Sequence, residues 1–153
     1  MIEVKKFFSF DETNWNSLVS NSSMTTIYNT SEYINVMQKS FDYKPIYFLV
    51  FDDGKPVAGV NIFKKSAISI PILTEFSKFY FSYAPLFVIS SKEDVKDKYF
   101  DLLIKEIISD YKKNFIASIN LWNSPYNNIE GVFQSNNFDV HIYLIPYYCL
   151  KAQ

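Results

Sequence analysis

The chain has 153 residues, 48% of them hydrophobic and 20% charged, which suits one domain with a packed core and argues against a second full domain or wholesale disorder. Its 15 cations are set against 16 carboxylates for a formal net charge of -1, so the excess basicity of phosphate-backbone binders is missing and direct nucleic-acid recognition is not expected. Every one of those cations is lysine, which leaves no guanidinium fork for bidentate capture of a carboxylate or phosphate.

In chain order, "IEVKKFF" (Ile2 to Phe8) reads as a first strand. Asp11 or Thr13 can cap a helix whose Trp15, Leu18 and Val19 fall at i, i+3 and i+4. After the polar loop "SNSSMTT", Thr30 is the N-cap of a second helix, with Glu32 in its first turn and Tyr33, Ile34, Val36, Met37 and Phe41 as its apolar residues. Pro45 blocks further helix, and "PIYFLVF" is rich in aromatic and β-branched residues, as a strand requires. "DDGK" is a tight turn, because Gly54 accepts positive φ, and "PVAGVNIF" returns antiparallel.

A third run lies within "FSKFYFSYAPLFV" (Phe76 to Val88), where Pro85 marks an edge or a break. From Ser91 to Lys113 the pattern is helical, opened by the capping-box-like "SKED" and carrying Val95, Tyr99, Leu103, Ile107 and Tyr111 on one face. "FIASINLW" (Phe115 to Trp122) reads as a buried strand, "SPYNNIEGVFQSN" as holding a short helix with Pro125 near its first turn, and "FDVHIYLIPYYCL" as a closing strand.

The single cysteine, Cys149, cannot form an internal disulfide, and the single histidine, His141, is eight residues away on the same run. On one strand that separation exceeds about 20 Å, which excludes a Cys–His pair there. No stretch approaches the roughly 18 apolar residues of a membrane span, and the N-terminus lacks a long apolar core, so the expected compartment is the cytoplasm.

The resulting order is strand, helix, helix, three strands, helix, strand, helix, strand. It resembles the GNAT acyltransferase fold, which implies an α+β domain over residues 1–153. Its central, mostly antiparallel twisted sheet would have about six strands flanked by about four helices. The segment "TTIYNTSEYINVMQKSFDYKPIYFLVFDDGKPVAGVNIFKK" further resembles the first GNAT-like half of acyltransferases related to the Fem peptidoglycan-bridge aminoacyl transferases. There an "hTpeW" helix start precedes a strand, a "DG" turn and a strand leading to an apolar stretch. Tyr28, Thr30, Glu32 and Tyr33 occupy the positions of that start, with Tyr33 where Trp is usual. Ser82, Tyr83, Ala84, Pro85 and Leu86 match the segment that reads "sdyGGPL", and "NNF" ending at Phe138 echoes a "Gf" before the final strand.

The resemblance implies a transferase-related domain acting on an amine of a cell-envelope or sugar-linked substrate. Its substrate-contact candidates are Tyr28, Glu32, Tyr33, Ser82 and Tyr83. Relatives of this kind carry two GNAT-like halves, so a homodimer partner or a separate second half is expected to cover the edge left open. Self-sufficient GNAT enzymes hold the coenzyme A pyrophosphate on a glycine-rich turn, Q/R-x-x-G-x-G/A, before the long helix. Here "YAPLFVISSKEDV" has no glycine to let a phosphate approach, and Glu93 and Asp94 sit in the first turn, so no cofactor site is expected.

Other readings of the same residues stay open. With 12 Tyr and 15 Phe, most aromatics must be core or half-buried surface, and Glu32 is also an ordinary first-turn carboxylate. His141 suits a structural role on a strand as well as proton transfer. Asp52 and Asp53 are two carboxylates in a turn without a third ligand, so no metal is expected. Trp122 suits either packing or the cleft between splayed strands. The alternative to a transferase half is a non-catalytic binding or assembly module of the same fold, because fold does not settle function.

Overall fold

The computed structural model describes residues 1–67, 77–114 and 118–121. The run "PIYFLVF" shows no polar alternation because both of its faces are covered. It lies in β3 (Lys44–Asp52), at whose centre Phe48, Leu49 and Val50 have no exposed surface. Asp53 and Gly54, with φ of 49° and 75°, turn the chain into β4 (Lys55–Ser66) as a two-residue hairpin loop of the type whose twist matches its strands. β1 (Ile2–Phe7) pairs antiparallel with the other edge of β3.

Two helices cover one face. Asp11 caps α1 (Glu12–Ser20) by accepting from the Asn14 amide, and Thr30 caps α2 (Ser31–Phe41) by accepting from the Tyr33 amide. Trp15 and Val19 from α1 and Ile34 and Met37 from α2 pack on Tyr47, Leu49, Phe63, Phe81 and Phe87. Val36 and Phe41, expected on the apolar face of α2, are instead 55% and 52% exposed. α2 buries a single stripe, Ser31, Ile34 and Met37. Between the helices the "SNSSMTT" loop carries a two-residue strand, β2 (Ser22–Ser23), and a 3-10 turn (Ile27–Asn29) follows.

The opposite face is covered by α3 (Lys96–Lys113), whose Tyr99, Phe100, Leu103, Ile104 and Ile107 pack on Phe48, Val50, Val60, Ile62 and Leu86. The helix expected from Ser91 begins later. Ser90–Val95 is a 3-10 segment without a side-chain cap, in which Lys92 is non-helical. Glu93, the acid of the expected capping box, instead takes hydrogen bonds from Ser23 Oγ and from Lys96 Nζ, the latter at 2.9 Å. Val95 therefore falls outside α3 and is 41% exposed.

The expected third strand is two pieces, β5 (Lys78–Ser82) and β6 (Phe87–Ile89), both antiparallel to the same edge of β4. Phe63 pairs with Phe81 and Gly59 with Phe87, so four steps along β4 are matched by six along the partner, and two residues are in excess. β6 also pairs with β2, and β5 pairs in parallel with β7 (Ser118–Leu121). The sheet thus has seven strands among the described residues, with the main path β1-β3-β4-β5-β7. β7 is not the buried strand expected: Ser118 and Asn120 are exposed, while Ile119 and Leu121 are half-buried.

Candidate functional site

The two surplus residues part β5 from β6 at Tyr83–Leu86, and polar groups are concentrated there. Ser82 is fully buried. Its Oγ donates its one proton to the nearer carbonyl, Asn61 at 2.6 Å, lies 3.0 Å from the Ala84 carbonyl, and accepts from the Ala84 amide at 3.1 Å. Asn29, also fully buried, donates from Nδ2 to the Pro85 carbonyl at 3.0 Å, while its Oδ1 accepts from the Thr26 amide at 2.9 Å. The Trp15 indole N–H donates to the Asn29 carbonyl at 2.5 Å. Together these bonds clamp the 3-10 turn and α1 onto the break between the strands. Nothing in the local pattern of "IYNTS" or "GVNIF" singled out Asn29 or Asn61; an asparagine inside an apolar strand run was the available signal.

Above this clamp three of the five sequence candidates meet. The Tyr28 and Tyr33 rings are edge-to-face with centroids 5.0 Å apart, and the Tyr28 and Tyr83 rings lie 6.3 Å apart. Tyr33 continues onto Phe63, and Tyr83 onto Phe81. Tyr28 and Tyr83 are 43% and 41% exposed, so the cluster is an open aromatic wall. Burial first, then the neighbouring Tyr83, Tyr28 and Tyr43 phenols, push Tyr33 up to about 12. Tyr33 is therefore a protonated donor at neutral pH, and the wall offers ring faces and hydroxyls suited to binding.

The other two candidates sit in different roles. The Glu32 carboxylate is held against α1 by Asn16 Nδ2, at 3.2 and 3.4 Å to its two oxygens. Ser82 Oγ is occupied by backbone, which makes it the residue that shapes the break beside Tyr83. His141, Cys149, Trp122, Pro125 and the "NNF" segment lie outside the described residues.

At the turn into α3, Lys92 Nζ reaches Asp52 at 3.4 Å and Tyr99 donates to the same carboxylate at 2.8 Å. The Tyr99 hydroxyl, then Lys92, hold Asp52 below the usual carboxylate range; Ser23, then Lys96, do the same for Glu93. Asp53 accepts from the Met1 amine at 2.5 Å. No cluster of metal-ligating side chains occurs among the described residues, and none of their helices is long and apolar enough to cross a membrane.

Two recesses lie away from the tyrosines. A cleft of about 140 Å³ between α2 and the chain after β1 is lined by Phe8, Glu12, Asn35 and Tyr47, with Asn35 donating to Glu12 at 3.0 Å. A shallower one of about 460 Å³ is lined by Leu18, Asn21, Phe51 and Ile89.

No family model matches the chain, and no curated protein matches it in sequence. Solved structures do match. An aminoglycoside acetyltransferase, meta-AAC0020, from an uncultured soil metagenomic sample in complex with trehalose superposes with a TM-score of 0.64 at 13% identity, over 98% of this chain and 97% of that one. The chain has the GNAT acetyltransferase fold. The aminoglycoside N-acetyltransferase AAC(6')-Iy in complex with CoA shares that fold with a TM-score of 0.59 at 15% identity, covering 97% of this chain and 94% of that one. Glucosamine-6-phosphate N-acetyltransferase from Arabidopsis thaliana matches with a TM-score of 0.56 at 10% identity, covering 97% and 99%. Within the GNAT fold of this chain, Tyr83 stands at the break between β5 and β6 on the edge of β4, with Tyr28 reaching it from the 3-10 turn and Tyr33 behind Tyr28 on α2.

Proposed function

We propose that this chain is a single GNAT-fold domain acting as the acceptor side of a Fem-like acyl or aminoacyl transferase. The amine of a sugar-linked or cell-envelope substrate is held on the wall formed by Tyr28, Tyr33 and Tyr83. The observation that carries this reading is the convergence of those three rings at the strand break, from two segments at least fifty residues apart in sequence. Neighbours with this fold include enzymes named for aminoglycosides and for glucosamine-6-phosphate, which supports an amino sugar as the substrate class. In the transfer, the amine nitrogen attacks the donor's ester or thioester carbonyl. The C–N bond forms, the bond to the leaving oxygen or sulfur breaks, and the surplus amine proton passes to water or a carboxylate.

The turn before α3 does not suit a coenzyme A pyrophosphate. No glycine occurs from Tyr83 to Val95, and Lys92 and Lys96 are engaged with Asp52 and Glu93. The donor half is therefore supplied by a second copy or another GNAT-like chain, for which the exposed Ile27, Val36 and Phe41 offer apolar contact. Calorimetric titration tests the reading. D-glucosamine is expected to bind saturably, with affinity lost in Tyr28→Leu and Tyr83→Leu, and acetyl coenzyme A is expected not to bind. Saturable acetyl coenzyme A binding that disappears on substitution of Lys92 would overturn it in favour of a self-sufficient acetyltransferase.

A further inference from the structure

β4 carries one anomaly. Asn61 lies at the middle of the strand with no exposed surface, and its Oδ1 is a buried atom without a hydrogen-bond partner among the described residues. Its neighbours on that sheet face are Gly59 and Phe63, in a core otherwise built from Trp15, Leu49 and Phe87. A carboxamide with an unpaired oxygen in such a place weakens the fold, and a β-branched apolar residue would fit the strand better. A native sequence tolerates such a conflict chiefly where function requires it.

The orientation of the amide follows from its surroundings. Nδ2 points at the Tyr28 carbonyl at 3.5 Å, and turning the amide over would bring two oxygens face to face. The free end is therefore the oxygen, which can only accept. The Asn61 backbone carbonyl is bound by Ser82 Oγ, next to Tyr83. Asn61 thus bridges, through its side chain and its backbone, the two segments that carry the half-exposed rings of the wall. It also lies opposite Tyr83 when the β4–β5 register is continued past Phe63 and Phe81, at the point where the two surplus residues begin.

We infer that Asn61 Oδ1 is a substrate-binding acceptor beside the tyrosine wall, taking an N–H or O–H from the acceptor molecule. This rests on the acceptor reading above and narrows it. The group reaching the sheet must be a donor, such as an ammonium, amide N–H or hydroxyl, while a carboxylate or phosphate there meets a lone pair and is rejected.

The test uses the full chain and compares D-glucosamine with D-glucuronate, by titration calorimetry alongside thermal unfolding. For Asn61→Leu, a near-isosteric change, the affinity for D-glucosamine should fall about tenfold while the unfolding midpoint stays level or rises. D-glucuronate should bind the wild type more weakly than D-glucosamine. If Asn61→Leu does not fold, Asn61→Ala, which removes the amide without adding volume, decides by the same affinity criterion. Unchanged D-glucosamine affinity in a folded Asn61 variant, with binding still lost in Tyr28→Leu, overturns this inference and leaves the acceptor reading standing. Absence of binding by the wild-type chain overturns both.

Discussion

The ion pair between Lys6 and Asp110 makes a lopsided prediction. Lys6 Nζ donates to Asp110 Oδ1 at 2.5 Å, with side chains only 19% and 10% exposed. Asp110 also accepts from the Tyr80 hydroxyl at 2.7 Å and from Asn114 Nδ2 at 3.0 Å, so one carboxylate ties β1, β5 and the end of α3 together. Asp110→Ala strands a nearly dry ammonium and a buried phenol, and is expected to cost about 3–5 kcal/mol. Lys6→Met keeps an apolar stem beside Phe48 and leaves Asp110 with two donors, so the loss should be near one charged hydrogen bond, about 1.5–3 kcal/mol. The double variant has no stranded charge and should be more stable than Asp110→Ala alone. Urea unfolding at neutral pH, followed by tryptophan fluorescence with unchanged m-values, reads all three. If the two losses simply add in the double variant, or if Lys6→Met costs as much as Asp110→Ala, the stranded-ammonium argument fails.

Gly59 offers a packing test: an added Cβ would lie 2.5 Å from Leu49 Cδ2, 2.9 Å from the Phe48 carbonyl and 3.1 Å from Phe87 Cζ. Leu49 can rotate but the carbonyl cannot, so Gly59→Ala should lower the unfolding free energy by about 1–3 kcal/mol, and an unchanged urea midpoint would contradict that. Alkaline titration tests the tyrosine wall. Because folding raises Tyr33 to about 12, its contribution to stability is complete below the ordinary phenol range and is lost as pH rises through the folded value. Burial also raises Tyr47 and Tyr80, so absorbance at the phenolate band should show a late step to which several tyrosines contribute, and Tyr33→Phe should lower its amplitude by one phenol; an undiminished late amplitude in the variant would refute the assignment.

The parts of the fold readable from sequence were those set by neighbouring residues. "DDGK" demanded a positive φ at Gly54, Asp11 and Thr30 stood where helix caps belong, and "PIYFLVF" was rich in aromatic and β-branched residues, as a strand requires. The departures come from distant partners. The helix start at Ser91 failed because Glu93 was drawn to Ser23, seventy residues earlier in the chain, as well as to Lys96. Val36 and Phe41 obeyed the helical period, yet their side of α2 is left half-exposed, with Phe41 stacked only on Tyr43 among the described aromatic rings. Of the site, Tyr28, Tyr33 and Tyr83 were nominated by resemblance and do meet. Asn29 and Asn61 went unremarked because an asparagine in a short polar or apolar string gives no local sign of which backbone it will bind.

The surplus of two residues between Phe81 and Phe87 bears on how such a surface would receive a guest. Strands that must be prised apart lose ladder hydrogen bonds at the moment of binding, and affinity falls accordingly. Here the covalent length of the chain forbids an uninterrupted ladder along that edge of β4, and Ser82 and Asn29 already bond the Asn61 and Pro85 carbonyls at the interruption. The opening is thus completed during folding, and a ligand arriving there meets a surface whose backbone has no ordering left to do.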